Sequence, residues 1–339
     1  MTSEITLFVN PTAGRGRGAH AAQPAARALR DAGFSVRTVL GHDADDALRR
    51  AREAVESGTG ALVAVGGDGI VSLALQAVAG TSTPLGVIAV GTGNDFARCL
   101  GLPLRDPAAA GRAAAEALKG GGGRTVDLGR IQRGAGREEE LSATGTGERG
   151  GRWFGTGTGT GTGERGGRWF GTVLASGFDS RVNDRGNRMR LRAGRFTYDL
   201  AILAELAAFR PVPYRLVLDD TTEIEIEATL VAVGNGTSYG GGMRICAGAA
   251  LDDGLLDVTV VGDCGRAELI KVFPRVYRGT HLDHPKVTVH RVRSIALDAP
   301  GTTGYADGEP AGPLPLTARC VPGALRVLTP PTARDEAAR

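Results

Sequence analysis

The stretch Val63-Ala64-Val65-Gly66-Gly67-Asp68-Gly69-Ile70 decides the fold. Three apolar residues run into a glycine turn that carries one carboxylate. Val71-Ser72-Leu73-Ala74-Leu75-Gln76-Ala77-Val78 follows, with the composition and spacing of a buried helix. The stretch therefore reads as a buried strand, a tight turn and a helix. Glycine lets a ligand approach the backbone closely, and a helix start offers unpaired N–H groups to an anion. A carboxylate at the same place can hold a hydrated divalent cation or orient a hydroxyl. Such a turn can handle nucleotide phosphate with metal. It can equally be a plain strand-to-helix turn, and the rest of the chain decides between the two.

Two similar turns lie nearby. Ile5 to Val9 is a short apolar strand that enters Asn10-Pro11-Thr12-Ala13-Gly14-Arg15-Gly16-Arg17-Gly18. Leu85 to Val90 enters Gly91-Thr92-Gly93-Asn94-Asp95-Phe96-Ala97-Arg98. Strands are expected at 34–40 and 61–65. Helices are expected at 19–32, with Pro24 near the first turn and Gly33 at the end, and at 43–57 and 107–119. Residues 5–119 thus alternate strand and helix, which predicts an α/β domain with a parallel sheet and helices on both faces, three layers in all. All three glycine turns then lie at carboxyl ends of strands, where open α/β sheets bind ligands.

The pattern changes after Val126-Asp127-Leu128-Gly129-Arg130-Ile131, a strand with a carboxylate in it. Beyond Pro213, short strands are expected at 214–218, 223–227, 230–233, 255–261, 286–292, 294–297, 314–318 and 324–328. Short strands at close spacing indicate an antiparallel sandwich or barrel. The expected organisation is a nucleotide-binding domain at 1–128, a β-rich sandwich domain at 129–330 and a charged tail at 331–339. Gly145 to Thr156 reads GTGERGGRWFGT, and Gly161 to Thr172 repeats the same twelve residues with a period of 16. Two copies build no solenoid. Only the second copy runs into a foldable stretch, Trp169 to Ser176. Residues 133–167 are therefore expected to form a slack, low-complexity loop in which the first copy is surplus.

Composition narrows the function. The chain has 339 residues, room for two domains of roughly 150 each. Its net charge of +3 is too small to argue for nucleic acid. Of 40 basic residues only Lys119, Lys271 and Lys286 are lysines, so 37 are arginines and arginine richness alone signals little. No apolar run approaches the roughly 20 residues that span a bilayer, and the start lacks a signal-peptide pattern. Cys99, Cys246, Cys264 and Cys320 are widely spread, which reads as reduced thiols in a cytoplasmic protein. The five histidines show no metal or triad spacing. There is no GxxxxGK[ST] and no dinucleotide-type GxGxxG after the first strand. What remains is carboxylates and glycine turns: Asp68, Asp95, Asp127, Asp252-Asp253 and the pair Asp307/Glu309. That chemistry suits phosphoryl transfer with magnesium, where protein groups position the reactants and neutralise charge.

Together the motifs resemble the bacterial soluble diacylglycerol kinases, which share a catalytic domain with sphingosine and ceramide kinases. The matching stretches are Val9 to Gly14, Gly66 to Gly69, Gly91 to Arg98, Val126 to Gly129, Ala175 to Asp179, Val233 to Asn235, Leu251 to Asp257 and Asp307 to Glu309. They occur in the family's order and span nearly the whole chain. The resemblance implies a nucleotide domain like that of phosphofructokinases and NAD kinases, with ATP in the cleft against a β-rich second domain. Asn10, Pro11, Thr12, Ala13, Gly14, Gly66, Gly67, Asp68, Gly69, Ile70, Val71, Ser72, Thr92 and Asn94 would meet ATP. Asp68, Asp95 and Asp127 would form a water-linked magnesium network. Asp307 and Glu309 would receive the proton of the lipid hydroxyl, with Glu309 the base. A separate structural magnesium would take the Asp253 side chain and the carbonyls of Ala250 and Leu255. The lipid would be met at the inner membrane face by reversible, peripheral docking, for which Arg185, Arg188, Arg192 and Arg195 share one helical face. Relatives also imply a homodimer. The sequence departs from the family at Ile70, where a Thr is usual, and at Gly41-His42. NAD kinase, a sphingoid-base kinase and a non-catalytic lipid-binding protein are the competing functions.

Overall fold

The apolar run at the centre of the sequence forms β3 (Leu62–Gly66), buried along its whole length. Its flanks are β1 (Glu4–Val9) and β4 (Leu85–Ala89), both parallel to it, and β2 (Ser35–Val39) lies outside β1. The structure, a computed structural model, describes residues 4–11, 13–121, 123–133, 167–177 and 211–329. Much of the 133–167 segment and all of 181–209, with its arginine face, lie outside them.

Helices cover both faces of the parallel strands. On one face α1 (Ala13–Asp31) and α5 (Pro107–Lys119) close over Ile5, Leu7, Val63, Val65 and Ile88. On the other α2 (Ala44–Glu56) and α3 (Asp68–Val78) close over Phe8, Leu62, Ala64 and Val87. Alternate residues of one strand feed opposite cores, as the period of two requires. Local chemistry sets the ends. Asp43 caps α2 by accepting from Asp46 N at 2.8 Å, and Asp106 caps α5 from Ala109 N at 2.9 Å with Pro107 in the first turn. One expectation needs correction: α1 starts at Ala13 rather than near Ala19, so Pro24 sits well inside it. The chain passes from β1 almost directly into the helix.

The second half is β-rich. β5 (Arg124–Arg133) pairs antiparallel with the long β15 (Leu316–Val327). β15 then touches β4 in parallel at Val327↔Leu85, which joins the two halves into one hydrogen-bonded network of fifteen strands among the described residues. The expected boundary near Leu128 thus falls inside a continuous strand. β8 (Val212–Leu218), β9 (Thr222–Gly234), β10 (Leu256–Gly262), β11 (Val287–Val292) and β12 (Ser294–Asp298) follow. β6 (Arg168–Phe170), β7 (Val173–Gly177), β13 (Thr303–Ala306) and β14 (Glu309–Pro313) complete the set. Two pairs of expected strands are single strands. β9 absorbs 223–227 and 230–233, and β15 absorbs 314–318 and 324–328 through a register shift between Val321 and Leu325. A helix not expected from the sequence, α6 (Arg266–Arg278), packs Val272 and Val276 into an outer core with Met243 and Ile245.

Candidate active site

β1 and β3 are neighbours, and α1 and α3 leave their carboxyl ends toward opposite faces of the sheet. This is the switch point where an open parallel sheet offers a crevice. Two glycine turns meet beside it. A Cβ on Gly91 would stand 2.4 Å from Gly67 Cα, so the turns after β3 and β4 touch through glycine alone. A Cβ on Gly93 would stand 2.5 Å from Asp68 Oδ2. Glycine is needed here for approach to a neighbour, not for flexibility.

Asp68 opens α3 and reaches across to that second turn. Its Oδ2 accepts from Asn94 N at 2.6 Å and its Oδ1 from Asp95 N at 2.7 Å. It thereby fixes the start of α4 (Asp95–Cys99), with Asn94 held left-handed at φ 59°. Burial, then the nearby Asp95 charge, pushes the Asp68 carboxyl up to about 6, against the pull of the backbone amides. Asp95 is 5% exposed. Burial raises its pKa, the amides of Gly241 and Gly242 and the Arg98 charge oppose that, and Asp307 raises it further. Its Oδ2 accepts from Gly241 N at 2.7 Å. Its Oδ1 is buried without a hydrogen bond, with Arg98 Nε 3.8 Å away, and Asn94 Oδ1 is a second buried acceptor with no partner among the described residues. Unpartnered buried acceptors beside two carboxylates fit a hard, hydrated cation.

Asp307 and Glu309 flank the turn between β13 and β14, and Asp307's charge reaches Asp95 across the cleft. The two carboxylates are not equivalent. Asp307 is anchored: Oδ2 accepts from Gly171 N at 2.8 Å, and Oδ1 from Thr172 N at 2.8 Å and Thr172 Oγ1 at 2.6 Å. Glu309 is half-buried, and burial raises its pKa while the Arg168 charge lowers it and Asp307 raises it. A carboxylate made more basic by burial, next to one held by three donors, is suited to take a proton.

Two of the predicted metal residues have protein partners of their own. Asp127 does not hydrogen-bond with Asp68 or Asp95; its Oδ1 accepts from Gly323 N at 2.8 Å and its Oδ2 from Gly254 N at 2.7 Å. Its own N–H donates to Leu251 O at 2.6 Å, and its carbonyl accepts from Asn235 Nδ2 at 2.9 Å. It clasps β5 to the turn at Gly254 and to the bulge of β15 at Gly323. Asp253 accepts from Leu255 N at 3.0 Å and pairs with Arg291 Nη2, whose Nε lies 3.2 Å from Asp257 Oδ1. Asp257 and Arg291 are directly opposed across β10 and β11. A guanidinium already neutralises this turn, so Asp253, Ala250 and Leu255 do not fit a second divalent cation in this arrangement. Among the described residues no group of three or more His, Cys, Asp or Glu forms a metal cluster.

The predicted nucleotide residues divide by placement. Asn10 is buried at the end of β1, its N–H donating to Val65 O at 3.2 Å; Pro11 is half-buried. Ala13 and Gly14 belong to the first turn of α1, and Thr12 lies outside the described residues. Gly66 ends β3, Gly67 caps α3, Gly69 lies in the first turn of α3, and Thr92 is exposed on the next turn. At 1% and 5% exposure the side chains of Ile70 and Val71 enter the core, so it is their backbone that is left for a nucleotide. The missing hydroxyl at Ile70 therefore leaves no gap beside the phosphates. Ser72 is also buried. Sequence reasoning missed Arg168, Gln76 and Gly241. The run Gly240-Gly241-Gly242, all three at positive φ, was the readable signal for the last.

Comparison with known proteins adds the family. Residues 4–131 match the diacylglycerol kinase catalytic domain, and residues 172–329 match the YegS C-terminal NAD kinase beta sandwich-like domain. The chain is 43% identical over 327 residues to the diacylglycerol kinase of Mycobacterium tuberculosis (strain CDC 1551 / Oshkosh), covering 96% of this chain and 95% of that protein. The chain belongs to the bacterial diacylglycerol kinase family. It is therefore a kinase that transfers phosphate to an alcohol, built on a lipid-kinase scaffold. The diacylglycerol kinase of Bacillus subtilis (strain 168) is 26% identical over 315 residues, with 91% of this chain and 90% of that protein covered. A crystal structure of a diacylglycerol kinase from Bacillus anthracis str. Sterne shares the fold, with a TM-score of 0.67 at 21% identity over 97% of each chain. The kinase family implies ATP binding, which places the glycine turns at Gly66 and Gly91 in an intelligible role. Among the described residues no helix is long and apolar enough to cross a membrane.

Proposed function

We propose that this kinase moves the γ-phosphoryl group of ATP to the free hydroxyl of diacylglycerol, giving phosphatidic acid. The observation that carries the reading is the placement of the Asp307/Glu309 turn opposite the Asp68/Asp95 turn, with the Asp307 charge close enough to be felt at Asp95. One side offers glycine backbone and carboxylates for a nucleotide. The other offers a carboxylate of raised basicity for an alcohol. ATP lies along Asn10 to Gly14, Gly66 to Ser72, Thr92 and Asn94, meeting backbone at Ile70 and Val71. Asp68 and Asp95, with the side-chain oxygen Oδ1 of Asn94, would hold Mg2+. Bound there, the cation would neutralise phosphate charge. Asp127, whose two oxygens accept from Gly254 N and Gly323 N, clasps β5 to the β-rich half. Glu309 takes the hydroxyl proton as the alcohol oxygen approaches phosphorus, and Asp307 fixes the turn that aims it. The lipid is met by reversible docking at the inner membrane face, with the arginines at 185–195 as the candidate contact.

The test is transfer from γ-labelled ATP to diacylglycerol, a sphingoid base and NAD in parallel, in mixed micelles where needed. Label in phosphatidic acid above the other two products is expected. Label in NADP with none in lipid would place the chain with the nucleotide kinases instead.

A further inference from the structure

The segment from Arg168 to Thr172 is the end of the second twelve-residue copy, and the phosphoryl-transfer scheme above uses it only as a donor to Asp307. It does more than that. Trp169 exchanges two hydrogen bonds with Gln76 of α3, N to Oε1 and O from Nε2, both at 2.9 Å. Gly171 packs on Phe96 of α4, where an added Cβ would stand 2.6 Å from the ring. Asn235 N and Gly236 N both donate to Thr172 O at 2.8 Å. The segment thus ties both helices of the nucleotide site to the β-rich half. It also holds the 307–310 turn at both ends. Gly171 and Thr172 grip the Asp307 carboxylate, and Arg168 Nη1 donates to the carbonyl of Pro310.

We propose that Arg168 is a positioning residue for Glu309: its guanidinium fixes the far end of the 307–310 turn and faces the carboxylate with a positive charge. This inference rests on Glu309 being the base. The electrostatics agree with the geometry. Burial lowers the pKa of Arg168, while Asp307 and then Glu309 raise it, so the guanidinium stands against both carboxylates. Around Glu309 the charged groups are Arg168 from β6 and Asp307 from its own turn. Asp95 of α4 faces Asp307 in turn, and Arg133 of β5 lies against Gly312 further along β14. Arg168 is thus the cation that favours ionised Glu309 where burial and Asp307 oppose it. Without it, Glu309 would hold its proton to higher pH and the turn would lose its clamp at Pro310.

The experiment compares wild type, Arg168→Gln, Arg168→Lys and Glu309→Gln. Readouts are kcat/KM for diacylglycerol against pH at saturating ATP, ATP affinity and thermal unfolding. Arg168→Gln is expected to shift the acidic limb upward by about one pH unit, which is an about tenfold loss of kcat/KM on that limb. Activity then recovers toward high pH, with ATP affinity unchanged. Arg168→Lys keeps the limb near wild type with reduced kcat, because the charge remains but the fork does not. A uniform loss across pH would overturn the inference, since a merely structural residue does that. Weakened ATP binding with unchanged kcat would also overturn it, making Arg168 a phosphate ligand. If Arg168→Gln does not fold, Arg168→Met takes its place: an acidic limb moved upward supports the inference, and an unmoved limb overturns it. Glu309→Gln separates the two readings. If it stays active, both fall; if it is inactive while Arg168→Gln leaves the limb unmoved, only the role of Arg168 falls.

Discussion

Asp307 and Glu309 are neighbours in one turn, and substitution at Asp307 tells an anchor from a base. Asp307 sits at φ +52°, a left-handed position that asparagine also accepts without penalty. Asp307→Asn therefore leaves the backbone alone and changes only the head group. One amide oxygen can keep the two Thr172 donors at 2.8 and 2.6 Å, but the NH2 then faces the Gly171 N–H donor. One charge-assisted hydrogen bond is lost and a donor is left unpaired, a cost of about 1.5–3 kcal/mol. Asp307→Ala loses all three bonds and adds about 1 kcal/mol for a methyl side chain in the left-handed region. Urea unfolding and kcat are measured on both variants. The anchor role predicts graded losses: stability down by about 2 kcal/mol in the Asn variant and further in the Ala variant, with residual turnover in the Asn variant. A stably folded Asp307→Asn with no turnover at all would refute it and make Asp307 the proton acceptor.

Asp68→Asn removes a charge that Asp95 repels but also one acceptor of the α4 amides, so stability should move by no more than about 1–2 kcal/mol while turnover is lost. Retained turnover with a normal melting curve would remove Asp68 from the mechanism. The same residue sets a pH slope. Its carboxyl is raised to about 6 from an ordinary 3.8, so the ligand-free folded protein binds the proton more tightly than the unfolded chain. That contribution is present below the unfolded value and is lost as pH rises through about 6; unfolding free energies without Mg2+ should fall over this window in wild type and less steeply in Asp68→Asn, where the raised carboxyls of Asp95 and Glu309 remain. Arg291→Gln strips the cation from Asp253 and from Asp257, whose side chain is 4% exposed; because the guanidinium is itself 51% exposed and screened by water, the cost should be about 1 kcal/mol, partly restored by millimolar Mg2+ in a melting experiment. An unchanged melting point would mean the pair contributes nothing. Deleting Thr144 to Gly159 removes one period and leaves the copy that builds β6, so melting point and turnover should barely change. Loss of folded protein would show that the first copy packs.

What was legible follows from range. The parallel half was readable because each strand and helix carries its own period. Leu62 to Val65 is apolar throughout, Asp43 and Asp106 cap the helices they precede, and the glycine turns mark the strand ends. α6 was missed because Pro274 inside it argues against a helix, although Leu269, Val272, Phe273 and Val276 keep the helical spacing. β15 was split in two because Pro322-Gly323 reads as a turn, whereas the strand absorbs it as a bulge. The acidic residues could be found, but their partners could not. Arg168 meets Pro310 across 142 residues and Asp127 meets Gly323 across 196, distances over which spacing carries no information. The partner of Asp253 was hidden for the same reason: nothing local to it announces Arg291 on another strand. Even so, the repeat held a clue, since the copy that leads into Val173 had to be the one that folds.

The central claim is that Glu309 takes the proton of the acceptor alcohol while the Asp68/Asp95 turn holds the nucleotide. Its most direct measurement is single-turnover transfer from γ-labelled ATP to diacylglycerol by Glu309→Gln, with ATP affinity determined on the same preparation. The account predicts a transfer rate lower by about two to four orders of magnitude with ATP affinity within threefold of wild type. A transfer rate close to wild type would contradict it, and the proton would then have to be sought from another acceptor in the cleft.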